Sequence, residues 1–79
     1  MSETKLIELV KEKRPNIKDS SLNMYLNNLK KLNKDLDNDD LFDVDILKEK
    51  ELVEQFFQDK KPNTVKNYLA SFVVLLMSN

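Results

Sequence analysis

"SSLNMYLNNLKKL", residues 20–32, is the stretch whose reading decides the fold. Leu22, Tyr25, Leu26, Leu29 and Leu32 recur at spacings of three and four, and Leu36 continues the series. That spacing places them on one stripe of an amphipathic helix. Asp19 and Ser20 are good cap residues ahead of the run, so a helix is expected over about residues 20–35. Its opposite face would carry Asn23, Met24, Asn27, Asn28, Lys31 and Lys34.

Forty-three residues further on, "NTVKNYLASF", residues 63–72, keeps the same frame. With Ser21 aligned to Thr64, each copy reads hydroxyl, aliphatic, two polar or flexible positions, Tyr, Leu, two small or polar positions, then an apolar residue. The two hydroxyl residues are read as setting two similar helix starts. Pro62 is preset for a first helical turn, which predicts a helix over about 62–78. Val65, Tyr68, Leu69, Phe72, Val73 and Leu76 make its expected core stripe. Val74, Leu75 and Met77 widen the apolar face beyond what one stripe needs, and are read as a surface for self-association or for another domain.

Outside the repeat, Ser2 and Glu3 suit a helix start and Pro15 a stop, predicting a first helix over about 2–13. "DLDNDDLFDVD", residues 35–45, holds six Asp, which turn and cap rather than propagate helices. A loop is expected there, with Leu41, Phe42 and Val44 tucked against the core. A third helix should begin at Ile46 or Leu47 and run to about 59, with Asp45 at its cap and Leu52, Val53, Phe56 and Phe57 buried.

The 79 residues suit a single domain, 1–79. With no Gly and two Pro, turns that need a positive backbone angle are scarce, which argues against a β-sandwich or barrel. There is no Cys and no His, so the usual thiol nucleophile and general base are missing, and this chain is read as no enzyme. Without Gly there is no phosphate-cradling loop of the P-loop kind. Tyr25 and Tyr68 sit on apolar stripes and read as core residues with the hydroxyl at the rim, not as nucleophiles. Asp35, Asp37 and Asp39 match the first ligand positions of an EF-hand loop. The sixth position is then Asp40 where Gly is required, and the twelfth is Ile46 where Glu is required, so no metal or other cofactor is expected. The apolar run 69–77 falls well under the roughly 18 residues of a membrane span. With no signal-peptide pattern either, an intracellular protein is expected. The chain stops at the last helix without a polar tail, which reads as the N-terminal part of a longer protein or as a surface awaiting a partner.

The net charge of −1 hides a strong segregation. Residues 1–34 carry net +4, residues 35–59 net −8 and residues 60–79 net +3, so each copy of the repeated opening lies in a basic segment. Lys30, Lys31 and Lys34, with Lys60, Lys61 and Lys66, are open to two readings: solubilising surface, or phosphate neutralisation. Asn23 and Asn27 on one helix, and Asn63 and Asn67 on the other, add donors and acceptors suited to the adenine edge in a major groove. If the two helices lie side by side, these residues form one polar, basic surface.

"SSLNMYLNNLKKL", the acidic connector and "ELVEQFFQDKKPNTVKNYLASFVVLL" together resemble the N-terminal core-binding domain of tyrosine recombinases and phage integrases over about residues 5–79. The resemblance implies an all-α fold, a compact four-helix SAM-like orthogonal bundle, that grips duplex DNA without catalysis of its own. It implies DNA contact at Asn23 and Met24 after Ser21, and at Asn63, Lys66 and Asn67 around Thr64. The full expected DNA-binding set is Asn23, Met24, Asn27, Lys30, Lys31, Lys34, Lys61, Asn63, Lys66 and Asn67. The catalytic domain of such recombinases is missing here. A protein–protein interaction module without DNA binding is the competing reading, since SAM-like bundles often bind other proteins.

Overall fold

The computed structural model describes residues 2–78. Its elements are α1 (Glu3–Lys13), α2 (Asp19–Asp35), a 3₁₀ turn (Asp45–Lys48), α3 (Lys50–Phe57) and α4 (Pro62–Met77). The fold is an all-α bundle of four helices, with no strand among the described residues. A Cα radius of gyration of 12.0 Å is what a compact chain of this length should have, about 12 Å.

The helix ends follow from local chemistry. Ser2 accepts a hydrogen bond from the Lys5 amide at 3.2 Å and starts α1, while Pro15 lies just past its end. Pro62 is the first residue of α4, where its missing N–H costs nothing. Lys18 and Lys61, both extended, are the caps of α2 and α4, and neither side chain makes a cap bond. The hydroxyls of Ser21 and Thr64 therefore do not set the starts. Each is the third residue of its helix, so the repeat conserves helix register rather than a cap.

The end of α2 solves a problem posed by the absence of glycine. Asp37 takes a left-handed conformation, φ 56°. Its amide donates to the Lys34 carbonyl at 3.1 Å, and the Asn38 amide donates to the Asn33 carbonyl at 2.8 Å. These two bonds form a Schellman cap with Asp where Gly is usual. Asp tolerates this region better than most residues but not without cost. Asp37→Gly should therefore raise stability by about 0.5 kcal/mol, and Asp37→Val should lower it by about 1 kcal/mol or more, read from urea melts.

Asn33 organises the loop that follows. It is fully buried. Its Nδ2 donates to the carbonyls of Leu29 (3.2 Å), Leu41 (3.0 Å) and Asp43 (3.3 Å), and its Oδ1 accepts from Asn38 Nδ2 at 2.8 Å. Asn38 Nδ2 also donates to Asp43 Oδ2 at 3.1 Å. Asp40 Oδ1 accepts from the Phe42 amide, and Asp43 Oδ1 from the Asp45 amide, each at 3.0 Å. These aspartates turn the chain, as the sequence suggests.

The third helix differs from expectation. It is not one helix over 46–59 but a 3₁₀ turn, a break at Glu49, and an eight-residue α3. Val44 and Ile46, two apart, are both buried, which an α-turn cannot achieve on one face. The Leu47 and Glu49 amides accordingly bond three residues back, to Val44 and Ile46. Asp45 is not the cap; Val44 holds that position. Leu52, one turn before Phe56 on the same side of α3, is exposed rather than buried and lines a surface groove with Leu36 and Ile46.

Two apolar clusters make the core. The first joins Leu6 and Val10 of α1, Leu22, Leu26 and Leu29 of α2, Val44, and Val74 and Leu75 of α4. The second joins Leu32, Ile46, Phe56, Tyr68 and Phe72. Leu47 packs on both and makes them continuous. Phe56 meets Tyr68 edge to face at 5.1 Å, and Phe57 stacks on Phe72 at 6.1 Å, which fastens α3 to α4.

The face that α4 buries also departs from the expected stripe. Tyr68, Ser71, Phe72, Val74 and Leu75 are buried, Val65 and Leu76 are half-buried, and Leu69 and Val73 are exposed. Val74 and Leu75 are thus core and offer nothing to a partner; of the three residues expected to form a partner surface, only Met77 is open. The reason is physical. The second half of α4 is apolar all round, so periodicity could not orient it, and the aromatic contacts at Tyr68 and Phe72 did.

Candidate nucleic-acid interface

The first cluster joins the early half of α2 to the end of α4, and the second joins Leu32, late in α2, to Tyr68 and Phe72 of α4. Contacts therefore run in opposite order along the two helices, which form the most extensive helix pair in the bundle. At their crossing, Asn28 Nδ2 donates to Ser71 Oγ at 2.8 Å. These residues stand forty-three apart and occupy equivalent places in the repeat. The bond thus marks a local pseudo-two-fold relating the two copies. Asn28, expected on the outward face, is half-buried at this junction instead.

All ten expected DNA-binding residues are exposed: Asn23, Met24, Asn27, Lys30, Lys31, Lys34, Lys61, Asn63, Lys66 and Asn67. They do not form one uniform set. The reversed order places Asn23 and Met24 before the crossing on α2, away from Asn63, Lys66 and Asn67, which precede it on α4. What the fold gathers is Lys31 and Lys34 with Lys60, just ahead of α4, and Tyr68, in its second turn. Lys31, Lys34 and Asp35 line one shallow groove with Lys60, Phe56 and Tyr68. Asn27, Lys30, Lys31, Lys34 and Leu41 line a second. Lys31 and Lys34 are therefore the ridge between two grooves.

The electrostatics of that ridge are simple. Among the described residues, none of Lys30, Lys31, Lys34, Lys61 or Lys66 pairs with a carboxylate, whereas Lys11, Lys48, Lys50 and Lys60 each do. Lys60 is tied down. Its Nζ donates to the Phe56 carbonyl at 3.0 Å, lies 3.9 Å from the Phe56 ring centroid and pairs with Asp59 at 3.5 Å. It caps α3, a role that its position in the "DKKPN" connection did not reveal. Lys30 stands 6.0 Å from the Phe42 ring centroid, at the outer limit of a cation–π contact. Phe56 and Tyr68 form the groove floor but are 3% and 8% exposed, too buried to serve as stacking platforms for unpaired bases.

The acidic residues lie mostly elsewhere. Asp37, Asp43, Asp45 and Glu49 line a separate groove floored by Leu36, Ile46 and Leu52. Among the described residues, no group of three or more acidic side chains is placed to hold a metal ion. Among the described residues, no helix is long and apolar enough to cross a membrane. No protein-family model matches this chain, and no curated protein or solved structure matches it either.

Proposed function

We propose that the chain binds duplex DNA through the exposed side of α2 and the opening of α4, without catalysis of its own. The observation that carries this reading is the ridge of Lys31 and Lys34. Two ammonium groups free of carboxylate partners stand between two grooves, one lined also by Asn27 and Lys30, the other by Lys60 and Asp35 over a floor of Phe56 and Tyr68. Lysines without a carboxylate partner suit the phosphates, which supply most of the affinity of DNA binders. Asn27, which lines one of these grooves, and Asn67, exposed on α4, have the donor and acceptor pair that reads adenine. The buried rings favour a duplex over a single strand as the ligand. The resemblance to the core-binding domain of tyrosine recombinases points the same way, as the grip of a recombinase or integrase of a virus or mobile element. On that reading Asn23 and Met24 contact the duplex farther along α2.

The test is duplex binding by fluorescence anisotropy across a salt series. Wild type should bind at about 50 mM salt and weaken steeply as salt rises. Lys31→Glu should weaken binding about tenfold at low salt and flatten the salt dependence by about one unit of log–log slope, and Lys34→Glu should do the same. Asp45→Lys, in the acidic groove, should leave the salt slope unchanged. Wild type that fails to bind at low salt, or a Lys31→Glu curve that overlays it, would overturn the reading.

A further inference from the structure

We infer that the outward face of α4 pairs with the same face of a second copy, antiparallel, to make a symmetric dimer. Leu69, Val73 and Met77 are 45%, 50% and 68% exposed and stand four residues apart, on one row of the helix. With half-buried Val65 the row spans about 18 Å. A large apolar row left open along a whole helix calls for a cover.

Charge selects both the partner and its direction. Residues 60–79 contain no acidic group, and the only charge on α4 itself is Lys66, in its first half. From Tyr68 to Met77 the helix is uncharged. An antiparallel second copy sets Lys66 beside the partner's last turn, where the carbonyl end of the helix carries partial negative charge. The Lys66 stem then lies along the partner's Met77 while its head stays in water. The two Lys66 residues end about 15 Å apart, beyond a Debye length at physiological salt. A parallel copy would instead bring both Lys66 groups together and align the helix dipoles. The row is also self-complementary: centred between Leu69 and Val73, it places each Leu69 against the other copy's Val73, as a two-fold axis requires. Ala70, small and exposed, permits close approach at the centre.

This inference does not rest on DNA binding, and its test contains no DNA. Sedimentation equilibrium of the 79-residue chain from about 10 μM to about 1 mM should show a reversible monomer–dimer equilibrium. Val73→Glu should raise the dissociation constant about a hundredfold, roughly tenfold for each copy, with the helical circular dichroism of the monomer retained. Leu69→Lys should act likewise. Since the chain has no Cys, single cysteines report orientation cleanly. Leu69→Cys mixed with Val73→Cys should cross-link under mild oxidant, and Lys66→Cys should not cross-link with itself. Wild type that stays monomeric throughout, a dimer untouched by both charged variants, or ready Lys66→Cys self-cross-linking would each overturn it. The wild-type measurement decides the matter even if a variant fails to fold.

Discussion

Replacing Asn33 with leucine should cost about 3 kcal/mol, a large share of the total stability of a domain this size. The side chain is fully buried and makes four hydrogen bonds, three donated and one accepted. Two N–H groups serve three carbonyls, so one N–H is shared. The orientation of the amide is fixed by its neighbours: turned over, Oδ1 would face three carbonyl oxygens and Nδ2 the Asn38 amide. Leucine is nearly the same size but leaves the Leu41 and Asp43 carbonyls without this donor and Asn38 Nδ2 with Asp43 Oδ2 alone. Each buried polar group so stranded costs about 1–3 kcal/mol, less whatever water recovers as the loop relaxes. The expected fall in melting temperature is about 15 °C. Asn33→Asp should be no better, since it sets a carboxylate against the three carbonyls. Asn38→Ala, at a half-buried site, should cost about 1 kcal/mol. Thermal and urea melts followed by circular dichroism supply the measurement. A loss below 1 kcal/mol for Asn33→Leu would mean that the loop over 36–45 holds its shape without this hub.

That residue also shows where sequence reading stops. The chain has nine Asn, and Asn33 is set apart only by its spacing, four residues after Leu29 and three before Leu36, which puts it on the leucine stripe without saying what it bonds. Its role depends on Leu41 and Asp43, which return to it only once the loop has folded. The elements with strong local signals were legible: α1 between its cap and Pro15, α2 from its leucine spacing, and α4 from Pro62. The 3₁₀ turn was not, since "VDIL" buries residues two apart and no helical period announces that. Lys60 looked like one more surface cation because its partners, the Phe56 ring and carbonyl, define a helix end that the sequence placed later.

The candidate interface divides in the same manner. Exposure of its ten residues followed from the amphipathic pattern, because polar residues opposite a leucine stripe have few other places to go. Their grouping did not follow. Two helices with matching openings could pack with those openings together or apart, and the sequence is the same either way. The reversed order of contacts sets them apart. It brings Lys31 and Lys34, late in α2, to Lys60 and Tyr68, and leaves Asn23 and Met24 beyond the crossing.

Leu75→Ala should destabilise the chain by about 3 kcal/mol, while Val73→Ala should change it by no more than about 0.5 kcal/mol. The two residues differ by 200° around α4, and the contrast between them tests which face is core. Leu75 is fully buried among residues of α1, α2 and the Val44 segment, so truncation opens a cavity where several elements meet. Val73 is half exposed, and its removal strands nothing. The periodicity of the sequence alone would give the reverse ranking, since it set Val73 in the stripe and Leu75 outside it. Urea melts at low micromolar concentration keep self-association out of the comparison. Equal losses at both positions would mean that α4 is not seated by one face. A larger loss at Val73 would turn the helix by about 160° and bury the row on which dimerisation depends. The ranking Leu75 over Val73 is therefore a precondition of the dimer, and it is read from the monomer alone.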